Sequence, residues 1–420
     1  MQMVQIVFLV VLVFFVLVTI HEFGHFYFAR RAGILVREFA IGFGPKLFSI
    51  KRGETRYTLR LLPAGGFVRM AGEDPEVVEM QPGQTVGVRL KDGKATRFYL
   101  DRLNERTNIM RGEVKALDLE RDLFVTLDVD GDIQRYDVHP QALIVARGQE
   151  TQIAPIDRQF GGVSTGKRAM AIFAGPMMNF ILAFMLFIVY LQMSGVPVEN
   201  STKVIVSGTE AGMPAAQAGL HKGDWIKSVN GEEIVGDSSV LVGKITASAG
   251  KPMKWIVERK GKELELSVTP DKATGKVGVY LSPEMRRPGI GETLKFAGTS
   301  MVDTTKNIFE SFRKLIFGEF KLDDLGGPVR TAQMTGEIAK QGLPQLTLWS
   351  AILSLYLGIF NLLPIPALDG SRLIFIGLEA VRGKPVDPNR ESMVHFIGFA
   401  MLMLLMVVVT YNDILRLVKN

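Results

Sequence analysis

The segment His21-Glu22-Phe23-Gly24-His25 constrains this chain more than any other, because of what precedes it. Two histidines at i and i+4 share one face of a helix, where both imidazoles can bind one Zn²⁺. The glutamate between them can take a proton from a water held by the metal. Upstream, Val4 to Ile20 is apolar apart from Gln5 and Thr19. Continued through the motif to Phe28, such a helix is long enough to cross a bilayer. The metal site is therefore expected inside a membrane or at its edge. Histidine and glutamate are costly in hydrocarbon, so a cluster of them there marks function. A signal peptide is not expected: Met1 to Gln5 carries no positive side chain, and no small-x-small cleavage site precedes His21.

The chain has no cysteine, so metal ligands must come from His, Asp or Glu, and no disulfide can staple an exported domain. Its 420 residues suggest two or three domains. A net charge of +6 without a dense basic stripe argues against nucleic acid as a partner. In a membrane protein that excess reports topology instead.

Three more apolar segments follow. Ala169 to Pro197 has no charge and starts at Lys167-Arg168; Leu346 to Leu363 includes Trp349 and Asn361; the last runs from about Met393 to Tyr411. The methionines between Met401 and Met406 read as helix packing rather than a soft-metal site. Arg30, Arg31 and Arg37 follow the first segment, and Arg372, Arg382, Lys384 and Arg390 separate the last two. These stretches, with Lys167 and Arg168, are expected to be cytoplasmic. The N-terminus, the region between spans two and three, and the C-terminus then lie outside. His21, His25 and Asn361 share one depth near the cytoplasmic side.

Between the spans the pattern changes. Residues 36–70 alternate as strands, with a turn at Arg52-Gly53. They form either an ordinary hairpin or a small sheet dipping toward the site, whose edge can pair with an extended substrate. Residues 72–160 read as a polar β domain. Asp128, Asp130 and Asp132 do not make a calcium loop, because Ile133 and His139 occupy the positions that need Gly and Glu. Asp130-Gly131-Asp132 is a hairpin turn. Residues 200–285 carry Ala218-Gly219-Leu220, Gly223-Asp224 and Val229-Asn230-Gly231, which resemble a bacterial PDZ domain. Such a domain binds extended chain ends by strand addition, or acts as a steric spacer. His221 in its polar turn is a surface residue. Residues 291–316 repeat apolar positions at helical spacing, and Gly326-Gly327-Pro328-Val329 is expected to end that helical region.

Two histidines do not complete a catalytic zinc site, which keeps three protein ligands and one open position. The candidate third ligand is Asp369, just beyond Pro364 and Pro366, which break the third span. Broken backbone at membrane depth is tolerated only inside protein or beside water, so a carboxylate there can turn toward the metal. Asp369-Gly370 is also turn chemistry, and His395 at the start of span four is a competing ligand.

His-Glu-Phe-Gly-His, Gly175-Pro176-Met177-Met178-Asn179 and Asn361 to Arg372 together resemble the site-2 protease family of intramembrane zinc metalloproteases. The likeness runs in order through nearly the whole chain. One PDZ-like region and the insertion resemble the Gram-positive, sigma-W-regulating members of the bacterial sigma-factor-regulating branch. Gram-negative relatives with two PDZ domains and no insertion differ there. The resemblance implies one zinc per chain on His21, His25 and Asp369, with Glu22 as the base. It implies that Asn361, Asn179 and Pro364 support substrate or the transition state. It also implies cleavage of transmembrane segments, in anti-sigma factors or remnant signal peptides, after a site-1 type protease has acted. The PDZ would then filter by size. The rival classes are a PDZ-bearing scaffold with a vestigial site and a metal transporter; an intact ligand set with a glutamate placed as base fits neither.

The expected architecture is a polytopic α-helical membrane protein of the bacterial plasma membrane. It has four transmembrane helices, a cytoplasmic β-rich insertion and an extracytoplasmic PDZ (α+β) domain. In order these are a first helix 1–35, a membrane-associated hairpin region 36–71 and the insertion 72–160. A second helix 168–195, the PDZ 200–285 and an amphipathic region 291–340 follow. The third helix with Leu368-Asp369-Gly370 spans 346–372, and the fourth 392–412.

Overall fold

The structure, a computed structural model, describes residues 3–73, 80–236, 238–318 and 326–419. Parts of the regions 72–160 and 291–340 thus lie outside the described residues. The chain divides into two compact units, one of residues 1–186 and 301–420, the other of 187–300.

The first unit opens with helix α1 (Met3–Arg31), whose most apolar stretch has a mean hydropathy of 3.1 yet is only 6% buried by protein. A soluble protein does not leave so large an apolar surface uncovered. α2 (Thr165–Ser194) is the second helix long and apolar enough to cross a membrane. The other two are α7 (Leu343–Asn361) and α9 (Pro388–Lys419), the latter through residues 390–416. The four expected spans are therefore present as helices.

After α1 the chain forms β1 (Val36–Arg52) and β2 (Thr55–Met70), turning at Gly53, whose φ is +64°. This hairpin folds back on itself. Residues 38–41 align with 66–69 on one side and with 56–59 on the other, while 46–52 pair with 55–60. Phe43, Leu47, Phe48, Ile50, Leu59, Leu61 and Leu62 remain exposed.

The insertion forms β3 (Thr85–Lys91), β4 (Lys94–Tyr99), β5 (Met110–Asp118), β6 (Phe124–Val129), β7 (Asp132–Ala146) and β8 (Gln149–Gln152). The ladder runs β4-β3-β5-β6-β7-β8, and a parallel pairing of β4 with β7 closes it. The expected β domain is thus a small barrel, in which closure removes the open edge strands. Val86, Val88, Phe98, Val114, Val125 and Leu127 fill it. The β6–β7 turn falls at Asp130-Gly131, both at positive φ, with Asp128 Oδ1 accepting from Gly131 N–H at 2.9 Å.

Two side chains of the hairpin reach the barrel and the turn after it: Arg37 donates to Gln152 O, and Glu54 makes the larger set of bonds. Glu54 accepts both guanidinium ends of Arg158, at 2.6 and 2.8 Å, and further bonds from Gln152 and Gln141.

The second unit is an α+β domain around Trp255, Ile226, Leu220 and Leu241. Its antiparallel strands run 262–268, 253–259, 225–229, 204–209 and 279–283 in spatial order. Two short helices accompany them, α3 (Pro214–Gln217) and α4 (Ser238–Ala247). The sequence signals have physical causes here. Buried Asp224 holds Arg259 through two 2.7 Å bonds, and Arg259 also donates to Gly219 O at 2.7 Å. Asn230 and Gly231 both take positive φ, as a tight hairpin turn needs.

α5 (Ile290–Ile316) forms as the amphipathic periodicity predicts. Two elements differ from the expectation. Gly326-Gly327-Pro328-Val329 opens a helix rather than ending one: Gly327 is the N-cap and Pro328 the first residue of α6 (Pro328–Gln341). Proline suits that place because its missing N–H is not needed. Buried Asp413 of α9 caps the same end, accepting from Arg330 N–H at 2.9 Å. The expected third span through residue 372 instead stops at Asn361, and α8 (Asp369–Arg382) is a separate helix.

The Arg158 hydrogen bonds hold the Glu54 carboxyl down to about 2 from its ordinary 4.5, against the partial burial that pushes it up. A depressed carboxyl stabilises the fold fully above its unfolded value and loses that contribution as pH falls through the folded one. Glu54→Gln should therefore weaken amide-exchange protection across residues 46–60 at neutral pH. The gap from wild type should narrow as pH drops from about 4.5 toward 2, once intrinsic exchange rates are corrected for. A gap that widens on acidification contradicts the clamp.

Candidate metal centre

α1 presents His21, Glu22 and His25 on a face continuous with buried Val13, Leu17 and Ala29. α2 crosses that face at very short range. A Cβ on Gly24 would lie 2.3 Å from Ala174 O, and one on Gly175 would lie 2.2 Å from His25 Nε2. Only glycine at both positions lets the helices meet. The contact then supplies what a ligating imidazole needs, an acceptor for its other nitrogen. His25 Nδ1 lies 2.9 Å from Ala171 O and must donate to it, which leaves the Nε2 lone pair facing inward.

His21 is held in the same sense. Its Nδ1 lies 3.0 Å from the side-chain amide of Asn179, which is fully buried and whose Oδ1 has no other partner. A half-turn of that amide places Oδ1 on the His21 Nδ1–H, and again frees Nε2. Ser354 of α7 donates to Asn179 O at 2.8 Å, so α7 fixes the residue that orients His21.

Asp369 arrives from the other direction, in the first turn of α8. Gly370 is required beside it, since a Cβ there would lie 2.3 Å from Leu363 O and 2.4 Å from Leu362 O. Asp369 Oδ2 is buried, without a conventional hydrogen bond, and 3.3 Å from both His21 Nε2 and His25 Nε2. The two imidazole nitrogens are 3.2 Å apart.

These three atoms form a nearly equilateral triangle. Ligands about 2.0–2.1 Å from a tetrahedral zinc stand about 3.3–3.4 Å from one another. The observed edges match three vertices of that tetrahedron and leave the fourth open. Two inward lone pairs beside a carboxylate oxygen repel one another unless a cation lies between them, so the donor set fits zinc.

Glu22 lies beside the triad and is buried. β2 passes directly over it: a Cβ on Gly66 would meet Glu22 Cγ at 2.7 Å and Ala40 O at 2.8 Å. The remaining expected residues lie elsewhere. Asn361 donates to Leu357 O of its own helix at 2.9 Å, and Pro364 is exposed in the α7–α8 connection. His395, the competing ligand, turns Nδ1 to the Ala367 N–H at 3.2 Å, and the described cluster of ligand-type groups contains only His21, His25 and Asp369. Sequence reading passed over Gly24, Gly66 and Gly175 as site residues. Their signal was present, because a glycine inside an apolar helix or strand marks close backbone approach.

Comparison with known proteins shows the family. The profile of Peptidase family M50 matches residues 9–405. The zinc metalloprotease RasP of Geobacillus kaustophilus is 47% identical over 415 residues, 96% of each chain. The regulator of sigma-W protease RasP of Bacillus subtilis is 44% identical over 97% of each chain. A probable protease eep of Enterococcus faecalis is 41% identical over 97% of this chain and 98% of its own.

The glycine contact gives a direct test. Gly175→Ala should lower zinc retention against a competing chelator by about tenfold or more, the scale seen when groups supporting a ligand are disturbed. Gly166→Ala on the same helix meets open space and should behave as wild type. Equal retention by both variants contradicts the placement of His25 against α2.

Proposed function

The chain belongs to peptidase family M50 and is a zinc metalloprotease, and from that premise we propose that it cuts peptide bonds within transmembrane segments, using His21, His25 and Asp369 as zinc ligands and Glu22 as general base. The observation that carries this is the 3.2–3.3 Å triangle of His21, His25 and Asp369, with Glu22 beside it, two of its corners standing on a helix whose most apolar stretch has a mean hydropathy of 3.1. A soluble substrate gives no reason to put hydrolysis there. A membrane-embedded one does.

Bound zinc supplies Lewis acidity, making water easier to deprotonate and a peptide carbonyl easier to attack. The protein's own groups do the rest. Ala171 O and Asn179 keep the Nδ1 protons on His25 and His21, so both present Nε2 without rotating. Glu22 takes the proton from the attacking water and returns it to the leaving amine. Its burial under β2 keeps bulk water from competing for it.

A helical substrate hides its carbonyls in hydrogen bonds and must unwind before attack. In the β1–β2 ladder residues 66–70 are paired on one side only, and Gly66 lies against Glu22. That edge is suited to receive the unwound stretch as an added strand. Asn361 and Pro364, at the end of α7 and just beyond it, are kept as candidates for supporting the substrate backbone, Asn361 by releasing the bond to Leu357 O.

The basic residues at Arg30, Arg31, Lys167, Arg168, Arg382 and Lys384 favour a multi-pass protein of the plasma membrane with the site near the cytoplasm. The 200–285 domain then lies outside as a PDZ-type size filter. The substrates are anti-sigma factors or remnant signal peptides already trimmed by a first protease. The Bacillus subtilis relative, a regulator of sigma-W protease by name, supports the anti-sigma choice.

The test is cleavage of a truncated single-span anti-sigma substrate in detergent, with bound metal quantified. Glu22→Gln should keep about one zinc per chain and lose about 10²- to 10⁴-fold in rate. Asp369→Asn should lose both zinc and activity. Full cleavage by Glu22→Gln removes the glutamate from its role, and full zinc retention by Asp369→Asn removes the aspartate from the ligand set.

A further inference from the structure

We infer that His395 on α9 is a positioning residue for the metal centre: its Nδ1 anchors the backbone of the α7–α8 loop and thereby fixes Asp369. The inference rests on Asp369 being a zinc ligand.

Asp369 is delivered by the seven residues 362–368, which make an unusual path. Leu362 and Leu363 N–H still bond back to α7, at 3.1 and 3.0 Å. Ile365 N–H donates to Leu363 O at 2.7 Å and Leu368 N–H to Ile365 O at 3.1 Å. Pro364 and Pro366 have no N–H to give. Ala367 then takes φ +75°, a left-handed conformation that an L-residue with a Cβ resists. Its N–H reaches no acceptor of the loop and donates instead to His395 Nδ1 at 3.2 Å. Strained backbone of this kind persists only where its surroundings hold it.

α9 is built to hold it. Three residues past His395, a Cβ on Gly398 would lie 2.1 Å from Pro366 Cβ, so only glycine lets α9 press on the loop. Phe375 of α8 meets the imidazole edge-on, with ring centroids 5.6 Å apart. Because Nδ1 accepts, the ring proton sits on Nε2. That atom is buried and hydrogen-bonded to nothing, with Glu391 Oε1 3.7 Å away.

The consequence falls two residues later. The ligand triangle has edges of 3.2–3.3 Å, so a small shift of the Asp369 carboxylate spoils it. The hydrogen bond at Ala367 is thus a support for zinc that comes from the fourth membrane helix, which itself contributes no ligand.

The test uses the full-length protein in detergent, wild type beside His395→Phe and His395→Asn. The asparagine Oδ1 stands where Nδ1 accepts, whereas phenylalanine keeps the ring and loses the acceptor. Each protein is titrated with a competing zinc chelator, its metal-free form is melted, and kcat and KM are measured on a single-span substrate. His395→Phe is expected to bind zinc about tenfold or more weakly, with reduced kcat, near-normal KM and a metal-free melting point near wild type. His395→Asn is expected to restore zinc affinity and kcat. His395→Leu serves as the acceptor-free variant if the aromatic one does not fold. Wild-type zinc affinity in the acceptor-free variant overturns the proposal, as does equal impairment of the asparagine variant. Wild-type zinc affinity in Asp369→Asn would instead overturn the ligand assignment beneath it.

Discussion

Everything at this site depends on how closely α1 and α2 approach at Gly24 and Gly175. An imidazole can bind a metal only if its other nitrogen has somewhere to place a proton, and hydrocarbon offers no such place. Water would serve in a soluble enzyme. Here the acceptor is a main-chain carbonyl of the neighbouring helix, Ala171 O, which is reachable because neither helix carries a side chain at the crossing. The same packing brings Asn179 to His21. Helix packing and ligand orientation are thus one feature. Small residues at the crossing are common where membrane helices approach closely, and here they also bring His25 Nδ1 to its carbonyl and His21 Nδ1 to Asn179.

Much of this was legible in the chain. The metal motif is local, and its spacing alone fixes which face of α1 carries it. The four long helices follow from apolar runs that no soluble fold would use. Asp369 was accessible because two prolines must stop α7, and the next carboxylate has few other reasons to be there. What could not be read was which side chain meets which across elements. Asn179 is polar in an apolar helix, which marks it, but nothing local says that it touches His21 rather than substrate. His395 has the chemistry of a ligand, and only the fold shows that it spends Nδ1 on a backbone N–H.

The barrel and the two late helices were less visible for a different reason. A strand pattern gives alternation but not closure, and the parallel β4–β7 pairing joins segments with two other strands, β5 and β6, between them in the chain. α6 was hidden because glycine and proline together read as a break. Proline at a helix start is favourable, and the capping carboxylate, Asp413, comes from the far end of the chain. α8 was merged with α7 in one expected segment, 346–372, although Pro364 and Pro366 marked the break: Asp369-Gly370 also reads as a turn, and nothing local says that a new helix starts there.

The hairpin links these observations to the chemistry. Its inner strand lies on Glu22 through Gly66, and its outer turn is held by Arg158 at the base of the barrel. A sheet with seven large apolar side chains exposed has little to hold its register in water, since nothing on those faces penalises a slip. Fixing it at both ends solves that problem. The glycine end sets its distance from Glu22, and the Glu54 end sets its direction. The insertion thereby gains a mechanical place in the fold: through Glu54 it anchors the hairpin whose Gly66 lies against Glu22.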